Sequence, residues 1–139
     1  MKKTLSLLIF ILLSLSFAGN VTPTISLRVD DVMNSTGSGG MASVTPIIGL
    51  KMGLSDGVYS GFDTEATTSR IYVETSYGKM GMGTYTAAVT GGAAVGEPFF
   101  TVGGYYPVLD NLNVELEYVL NNLATTTENV LNLSLTVNF

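Results

Sequence analysis

The last ten residues of the sequence, Val130-Leu131-Asn132-Leu133-Ser134-Leu135-Thr136-Val137-Asn138-Phe139, alternate between apolar and polar side chains without exception from Leu131 onward. Successive side chains of a β-strand point to opposite faces, so this stretch predicts a strand with one apolar face and one polar face. The strand ends on an aromatic residue, Phe139. The rest of the sequence has to supply the partners of this strand.

This stretch resembles the C-terminal strand of bacterial outer-membrane β-barrel proteins, which typically ends in Phe and has an apolar residue at every second position before it. The matching residues are Leu131, Leu133, Leu135, Val137 and Phe139. In that family the last strand closes the barrel against the first strand and carries the signal that the barrel-assembly machinery recognises. The resemblance therefore implies a protein of the Gram-negative outer membrane, with the lipid bilayer and the assembly machinery as partners.

The first residues predict a secretory signal peptide. Met1-Lys2-Lys3 precedes an apolar run from Leu5 to Phe17, and the triplet Ser16-Phe17-Ala18 is typical of a cleavage site after Ala18. The apolar run is shorter than the roughly 20 residues that a membrane-spanning helix needs. We therefore expect two parts, a signal peptide at 1–18 and one β-barrel domain at 19–139.

The composition after residue 18 excludes some partners. Four basic and eleven acidic residues remain, a net charge of the wrong sign for binding nucleic acid. The sequence contains no cysteine, so no disulfide framework holds the fold. Only 12% of the residues are charged, whereas a quarter is usual in soluble domains, and this deficit fits a protein whose outer surface faces lipid.

The residues from 19 to 139 predict an all-β fold of eight strands. Short turns are expected near residues 56, 78 and 109, and longer polar connections near 36, 67, 94 and 125, an asymmetry typical of outer-membrane barrels with periplasmic turns and extracellular loops. The sequence thus predicts an eight-stranded antiparallel up-and-down transmembrane β-barrel with both ends in the periplasm. The predicted strands are Val21–Asp30, Ala42–Leu54, Val58–Asp63, Arg70–Tyr77, Met80–Val89, Phe99–Tyr106, Leu112–Leu120 and Val130–Phe139.

Over residues 19–139 this pattern is similar to that of small eight-stranded barrels of the OmpA-membrane-domain and OmpX type. Two short segments, Ser69–Gly83 and Tyr106–Tyr118, also resemble hairpins of the general porins. A porin of sixteen strands needs far more chain than is present here, so the resemblance to porins is local.

Outward-facing apolar positions would place the polar faces of the strands in the lumen. The main candidates for ion pairs there are Arg28, Lys51, Glu74, Glu115 and Glu117, and we expect the two bases to pair with these glutamates because enclosed charges need partners. The other residues expected in the lumen are Ser26, Asp30, Ser76, Asn113, Asn132, Ser134, Thr136 and Asn138.

Three functions remain open from the sequence. An ion-paired lumen predicts a structural or surface-interaction protein, because eight strands leave an interior that side chains just fill. Lumenal glycines at 49, 53, 81, 83 and 103 would instead favour a small porin that passes ions or small solutes, with cations preferred because of the acidic excess. A third interpretation reverses the facing and gives a soluble periplasmic carrier of apolar ligands, similar to lipocalins.

We expect no enzymatic activity and no cofactor or metal. The sequence lacks both His and Cys, which removes the usual general base, cysteine nucleophiles and zinc sites. Glu115 and Glu117 lie on one face, but acids in such a position are usually ion-paired. Tyr77, Tyr106 and Phe139 lie nearest the predicted periplasmic ends and are expected to contact the membrane interface.

Overall fold

The computed structural model describes residues 21–32, 44–89, 93–121 and 129–139, and these ranges contain eight β-strands. The predicted signal peptide, 1–18, lies outside the described residues. The strands are β1 (Val21–Val29), β2 (Val44–Ser55), β3 (Val58–Thr64), β4 (Thr68–Thr75), β5 (Gly78–Tyr85), β6 (Pro98–Leu109), β7 (Leu112–Leu120) and β8 (Val130–Asn138).

The eight strands form one closed antiparallel barrel in which each strand pairs with its neighbours in the sequence. The last strand closes the barrel on the first, from Thr24 opposite Asn138 to Val29 opposite Leu133. The all-β, eight-stranded antiparallel fold expected from the sequence is therefore confirmed. Among the described residues, no helix is long and apolar enough to span a membrane.

The strand bounds differ from the prediction mainly where glycine or proline weakens the alternation. β5 ends at Tyr85 and not near Val89, and β6 continues past Tyr106 to Leu109 through a shift in register between Pro107 and Leu109. β4 ends at Thr75, so Ser76 lies in the following turn and is exposed. The expectation that Ser76 faces the lumen was wrong.

One of the four connections predicted to be long is a tight turn. Only residues 65–67 separate β3 from β4, because the N–H of Glu65 donates to the carbonyl of Thr68 at 3.0 Å and the hydroxyl of Thr64 donates to the same carbonyl at 3.1 Å. The other connections at this end of the barrel are longer, and they include residues outside the described ranges. The short turns predicted near residues 56, 78 and 109 are two-residue turns at 56–57, 76–77 and 110–111.

The alternation places every charged residue of the strands on the inward face and most large apolar residues on the outward face. On β7, for example, Glu115 and Glu117 are buried, whereas the intervening Leu116 is 48% exposed. The eight inward charged residues are Arg28, Lys51, Asp63, Arg70, Glu74, Lys79, Glu115 and Glu117. Four are basic and four are acidic, so the charges carried by the strands balance inside the barrel.

Small residues on the inward face make room for large side chains on the next strand. A Cβ at Gly61 would overlap the ring of Tyr72, and a Cβ at Gly83 would lie 2.5 Å from the ring of Phe99. The space beside these glycines is therefore filled by aromatic rings. The space beside Gly103 is instead filled by the backbone of β7. A Cβ at Gly103 would overlap the carbonyl of Leu116 and lie 3.0 Å from the Cα of Glu117.

Gly103 and Gly104 form a natural pair for testing this packing, because they are adjacent but face opposite sides of β6. We expect Gly103→Ala to lower the free energy of unfolding by about 1–3 kcal/mol, since the added methyl group meets a neighbouring backbone that cannot rotate away. Gly104→Ala should leave the free energy of unfolding unchanged, because no neighbouring atom lies within 4 Å of the position of the added methyl group. Urea unfolding of the refolded barrel would measure both, and equal losses would contradict the facing of β6.

Candidate functional site in the barrel interior

The centre of the lumen is occupied by Arg70, which links three strands. Its Nε and Nη2 atoms donate to the two carboxylate oxygens of Asp63 at 2.9 and 2.6 Å, and Nη1 donates to Glu117 on the opposite side of the lumen. Asp63 and Arg70 are direct neighbours in the pairing of β3 with β4, so the fold itself places the fork of the guanidinium against the carboxylate. All three side chains are buried.

Lys79 extends this cluster toward the turn end of the barrel. Its Nζ donates to Glu115 at 3.2 Å and lies 3.9 Å from Asp63. The same ammonium group sits 4.0 Å from the centre of the Tyr72 ring, within the range of a cation–π contact. We call Asp63, Arg70, Lys79, Glu115 and Glu117 the central cluster; it joins β3, β4, β5 and β7 through the interior.

A second ion pair lies on the inner faces of β2 and β4. Lys51 donates to Glu74 at 2.9 Å, and its ammonium group lies 4.9 Å from the centre of the Tyr59 ring. Glu74 is one of the partners expected for Lys51 from the sequence. Both side chains are buried, and an unpaired charge in such a position is strongly destabilising. The ammonium group of Lys51 and the carboxylate of Glu74 therefore neutralise each other.

Arg28 has different partners from those expected. It contacts neither Glu74, Glu115 nor Glu117; its Nη2 donates to both carboxylate oxygens of Glu65, at 2.8 and 2.9 Å, and its Nε donates to Asp30 at 2.5 Å. Arg28 lies near the loop end of β1, while the three glutamates lie deeper in the barrel. The tight turn after β3 carries Glu65 inward and supplies the partner that the sequence did not indicate.

Four other charged residues of the interior were not assigned from the sequence. Arg70 could have been found, because it lies two and four residues before Tyr72 and Glu74 on the same face of a strict alternation. Lys79 falls in the turn predicted near residue 78. Asp63 ends the predicted strand Val58–Asp63, in which Ser60, Gly61 and Phe62 give no clear apolar face. Nothing in the sequence pattern indicates that Glu65 faces the lumen, since it lies in the longer polar connection predicted near residue 67.

Hydroxyl and amide groups complete the inner wall at the seam between the first and last strands. The hydroxyls of Ser26 and Thr136 lie 2.7 Å apart, and the side-chain oxygen of Asn132 accepts the backbone N–H of Asp31 at 3.0 Å. The first contact joins β1 to β8 in addition to their backbone pairing, and the second joins the segment just after β1 to β8. Of the polar residues that face inward on β8, Asn132, Ser134 and Thr136 are buried, and Asn138 is partly buried.

The apolar face of β8 points away from the lumen. Leu133, Leu135 and Phe139 are exposed on the outer surface, and Leu131 and Val137 are partly covered by their neighbours. These are the residues of the C-terminal pattern, and they lie along the outside of the seam with β1.

A cavity of about 580 Å³ lies at the loop end of the lumen. Arg70, Asp63 and Glu117 of the central cluster form its floor, and Arg28, Asp30 and Glu65 lie higher on its wall. Within the described ranges, no three His, Cys, Asp or Glu side chains are grouped closely enough to hold a metal ion. The described part of the interior thus offers paired charges and a cavity at its loop end.

Comparison with protein-family models gave no match, and comparison with curated proteins gave none either. Among solved structures, a chain described as "De novo design of transmembrane beta-barrels" is similar in fold, with a TM-score of 0.49 and 12% sequence identity. The similarity covers 87% of this chain and 96% of that chain.

Replacing Arg70 should reduce the stability of the barrel more than replacing another residue of the central cluster. We expect Arg70→Met to lower the free energy of unfolding by about 3–5 kcal/mol, because it leaves Asp63 and Glu117 buried without their main cationic partner. Asp56→Asn, in an exposed turn that makes no ion pair with the central cluster, is the control and should leave the unfolding midpoint unchanged. Urea titration followed by gel mobility of unboiled samples would measure both; an unchanged midpoint for Arg70→Met would show that the cluster does not stabilise the barrel.

Proposed function

We propose that this protein is an integral β-barrel of the Gram-negative outer membrane, of the small OmpA-membrane-domain and OmpX type, with a structural or surface-interaction role and no enzymatic activity. It would reach the periplasm through a cleaved signal peptide and would present its longer connections at the cell surface.

The observation that carries this proposal is the outer surface of the strands, where no charged side chain points outward among the described residues. Large apolar side chains are exposed there instead, such as Ile71 at 58%, Met80 at 64% and Val102 at 50%. A continuous apolar surface of this kind is rare on a soluble monomer. In a bilayer it is favourable, whereas a Lys or Arg facing the lipid at mid-depth costs about 2–4 kcal/mol.

The closed sheet supports the same proposal. A bilayer has no water to satisfy free backbone N–H and C=O groups, so a sheet can span it only when no strand edge remains. The pairing of β1 with β8 removes that edge. The soluble alternative requires apolar side chains inside and polar ones outside, which is the reverse of the facing observed along these strands.

The contents of the lumen favour a structural role over a pore. The central cluster and the Lys51–Glu74 pair occupy the interior, and the rings of Tyr72 and Phe99 fill the space beside Gly61 and Gly83. The porin interpretation depended on glycines leaving water-filled space. The glycines described on the inward face are instead in contact with neighbouring side chains or backbone.

Aromatic residues support the proposed orientation. Tyr77 is 96% exposed in the turn after β4, and Tyr106 and Phe139 are exposed near the same end of the barrel. Amphipathic rings prefer the membrane interface, so this end would lie at the periplasmic boundary of the bilayer. Phe139, directly after β8, lies at this end, and β8 runs from there across the barrel to Leu131 at the loop end. We propose that the assembly machinery recognises the chain through this C-terminal strand.

The first test is expression of the whole sequence in a Gram-negative host, followed by fractionation and gel electrophoresis of boiled and unboiled samples. We expect the protein in the outer-membrane fraction with a heat-dependent shift in mobility, because a closed barrel stays compact until it is heated. A soluble periplasmic protein would overturn the proposal. For the refolded barrel in planar bilayers we expect no stable conductance, and regular single-channel steps would instead favour the porin.

A second test uses the absence of tryptophan from the sequence. The outward Leu116 and the inward Val119 lie on the same strand, so Leu116→Trp and Val119→Trp each introduce one fluorophore on opposite faces of β7. In vesicles of lipids brominated on the acyl chains, we expect strong quenching of fluorescence in the Leu116→Trp variant and little quenching in the Val119→Trp variant. Equal quenching in the two variants, or none in either, would contradict a lipid-facing outer surface.

A further inference from the structure

The inward face of the barrel is polar over most of its height but changes character at the loop end. Ile47 on β2, Phe99 on β6 and Val119 on β7 all face the lumen and are buried, with exposed fractions of 5%, 5% and 6%. They depart from the polar-inward alternation that their strands otherwise keep. All three line the same cavity at the loop end.

This cavity is larger than the architecture requires. An eight-stranded barrel has an interior that side chains just fill, and protein interiors are usually packed without large voids. A volume of about 580 Å³ falls within the range of sites that bind small organic molecules, roughly 300–1,000 Å³. The ring of Tyr85 stands edge-on to Phe99 at a centroid distance of 5.4 Å and adds a second aromatic surface to the wall.

The polar groups around the cavity carry an excess of negative charge. Among the described residues, four carboxylates line it, those of Asp30, Asp63, Glu65 and Glu117, against the two guanidinium groups of Arg28 and Arg70. Lys79 does not cancel the excess, because its ammonium group lies closer to Glu115, at 3.2 Å, than to Asp63, at 3.9 Å. The site therefore combines an apolar wall with a net negative potential.

We propose that the loop-end cavity binds a small amphipathic organic cation, with its ammonium group toward the carboxylates and its apolar body against Ile47, Phe99 and Val119. An inorganic cation would leave the apolar wall without a partner. An organic anion would face the excess of carboxylates. The aromatic rings add attraction for an ammonium group through cation–π contacts. This inference depends on the inward face alone, so it can be tested separately from residence in the membrane.

Methyl NMR of the mature protein, refolded in uncharged detergent micelles, can locate the bound molecule. The probe is 4-phenylbutylamine, compared with its neutral analogue 4-phenylbutan-1-ol and the anion 5-phenylpentanoate. Ile47 and Val119 face the cavity, and their neighbours in sequence, Ile48 and Leu120, face outward and report partition into the micelle. We expect saturable shifts at Ile47 and Val119 with the amine, and a dissociation constant at least about tenfold weaker for the anion.

Two variants test the two halves of the site. Val119→Trp fills part of the cavity and should weaken binding of the amine about tenfold, whereas Leu120→Trp on the outer face should leave it unchanged. Glu65→Gln removes one negative charge from the wall of the cavity. It should weaken binding of the amine and leave binding of the neutral alcohol unchanged. The heat-dependent gel shift confirms that each variant is folded, and if Val119→Trp does not fold, Glu65→Gln decides.

The results that overturn the proposal are specific. Equal shifts at inward and outward methyl groups would mean partition into detergent only. Equal affinity for the amine, the alcohol and the anion would reject the selection for a cation. No shift at Ile47 or Val119 at any concentration of the amine would reject the site.

Discussion

The antiparallel pairing of the first strand with the last is the constraint on which the rest of the structure depends. Six residue pairs join Thr24–Val29 to Leu133–Asn138, and the N–H of Phe139 donates to the carbonyl of Pro23 at 3.0 Å. This seam turns a meander of hairpins into a tube, so that one face of every strand is enclosed. The strict alternation of the last ten residues matters because a slip of one residue would turn the polar face of β8 outward.

Once the barrel is closed, the charges inside it must neutralise one another. The strands bring four bases and four acids to the inward face, where they form ion pairs such as Lys51–Glu74, Arg70–Asp63 and Lys79–Glu115. Arg70 reaches from β4 to Glu117 on β7, across the lumen, while glycines at 61, 83 and 103 let neighbouring groups approach closely. The cluster therefore connects strands that the backbone ladder does not join. Breaking one of its pairs would leave a buried charge without its partner.

The sequence predicted the strands best where the period of two is unbroken. β7 and β8 have the expected facing because leucines and valines alternate there with Asn, Glu, Ser and Thr. β3 was ambiguous because Ser60, Gly61 and Phe62 give no clear apolar face. The partners of Arg28 could not be predicted, since which side chains meet across the lumen depends on the stagger of all eight strands. Glu65 reaches Arg28 only because the turn after β3 is tighter than its polar composition indicates.

Two of the carboxylates that line the loop-end cavity lie outside the central cluster. The charged residues of the strands cancel in number, so the excess of acid in the described chain lies in turns and connections. Two of those acids, Asp30 and Glu65, lie just beyond strand ends and reach the loop-end cavity, where each contacts Arg28. The negative potential of the cavity can therefore change through these two residues without altering the central cluster.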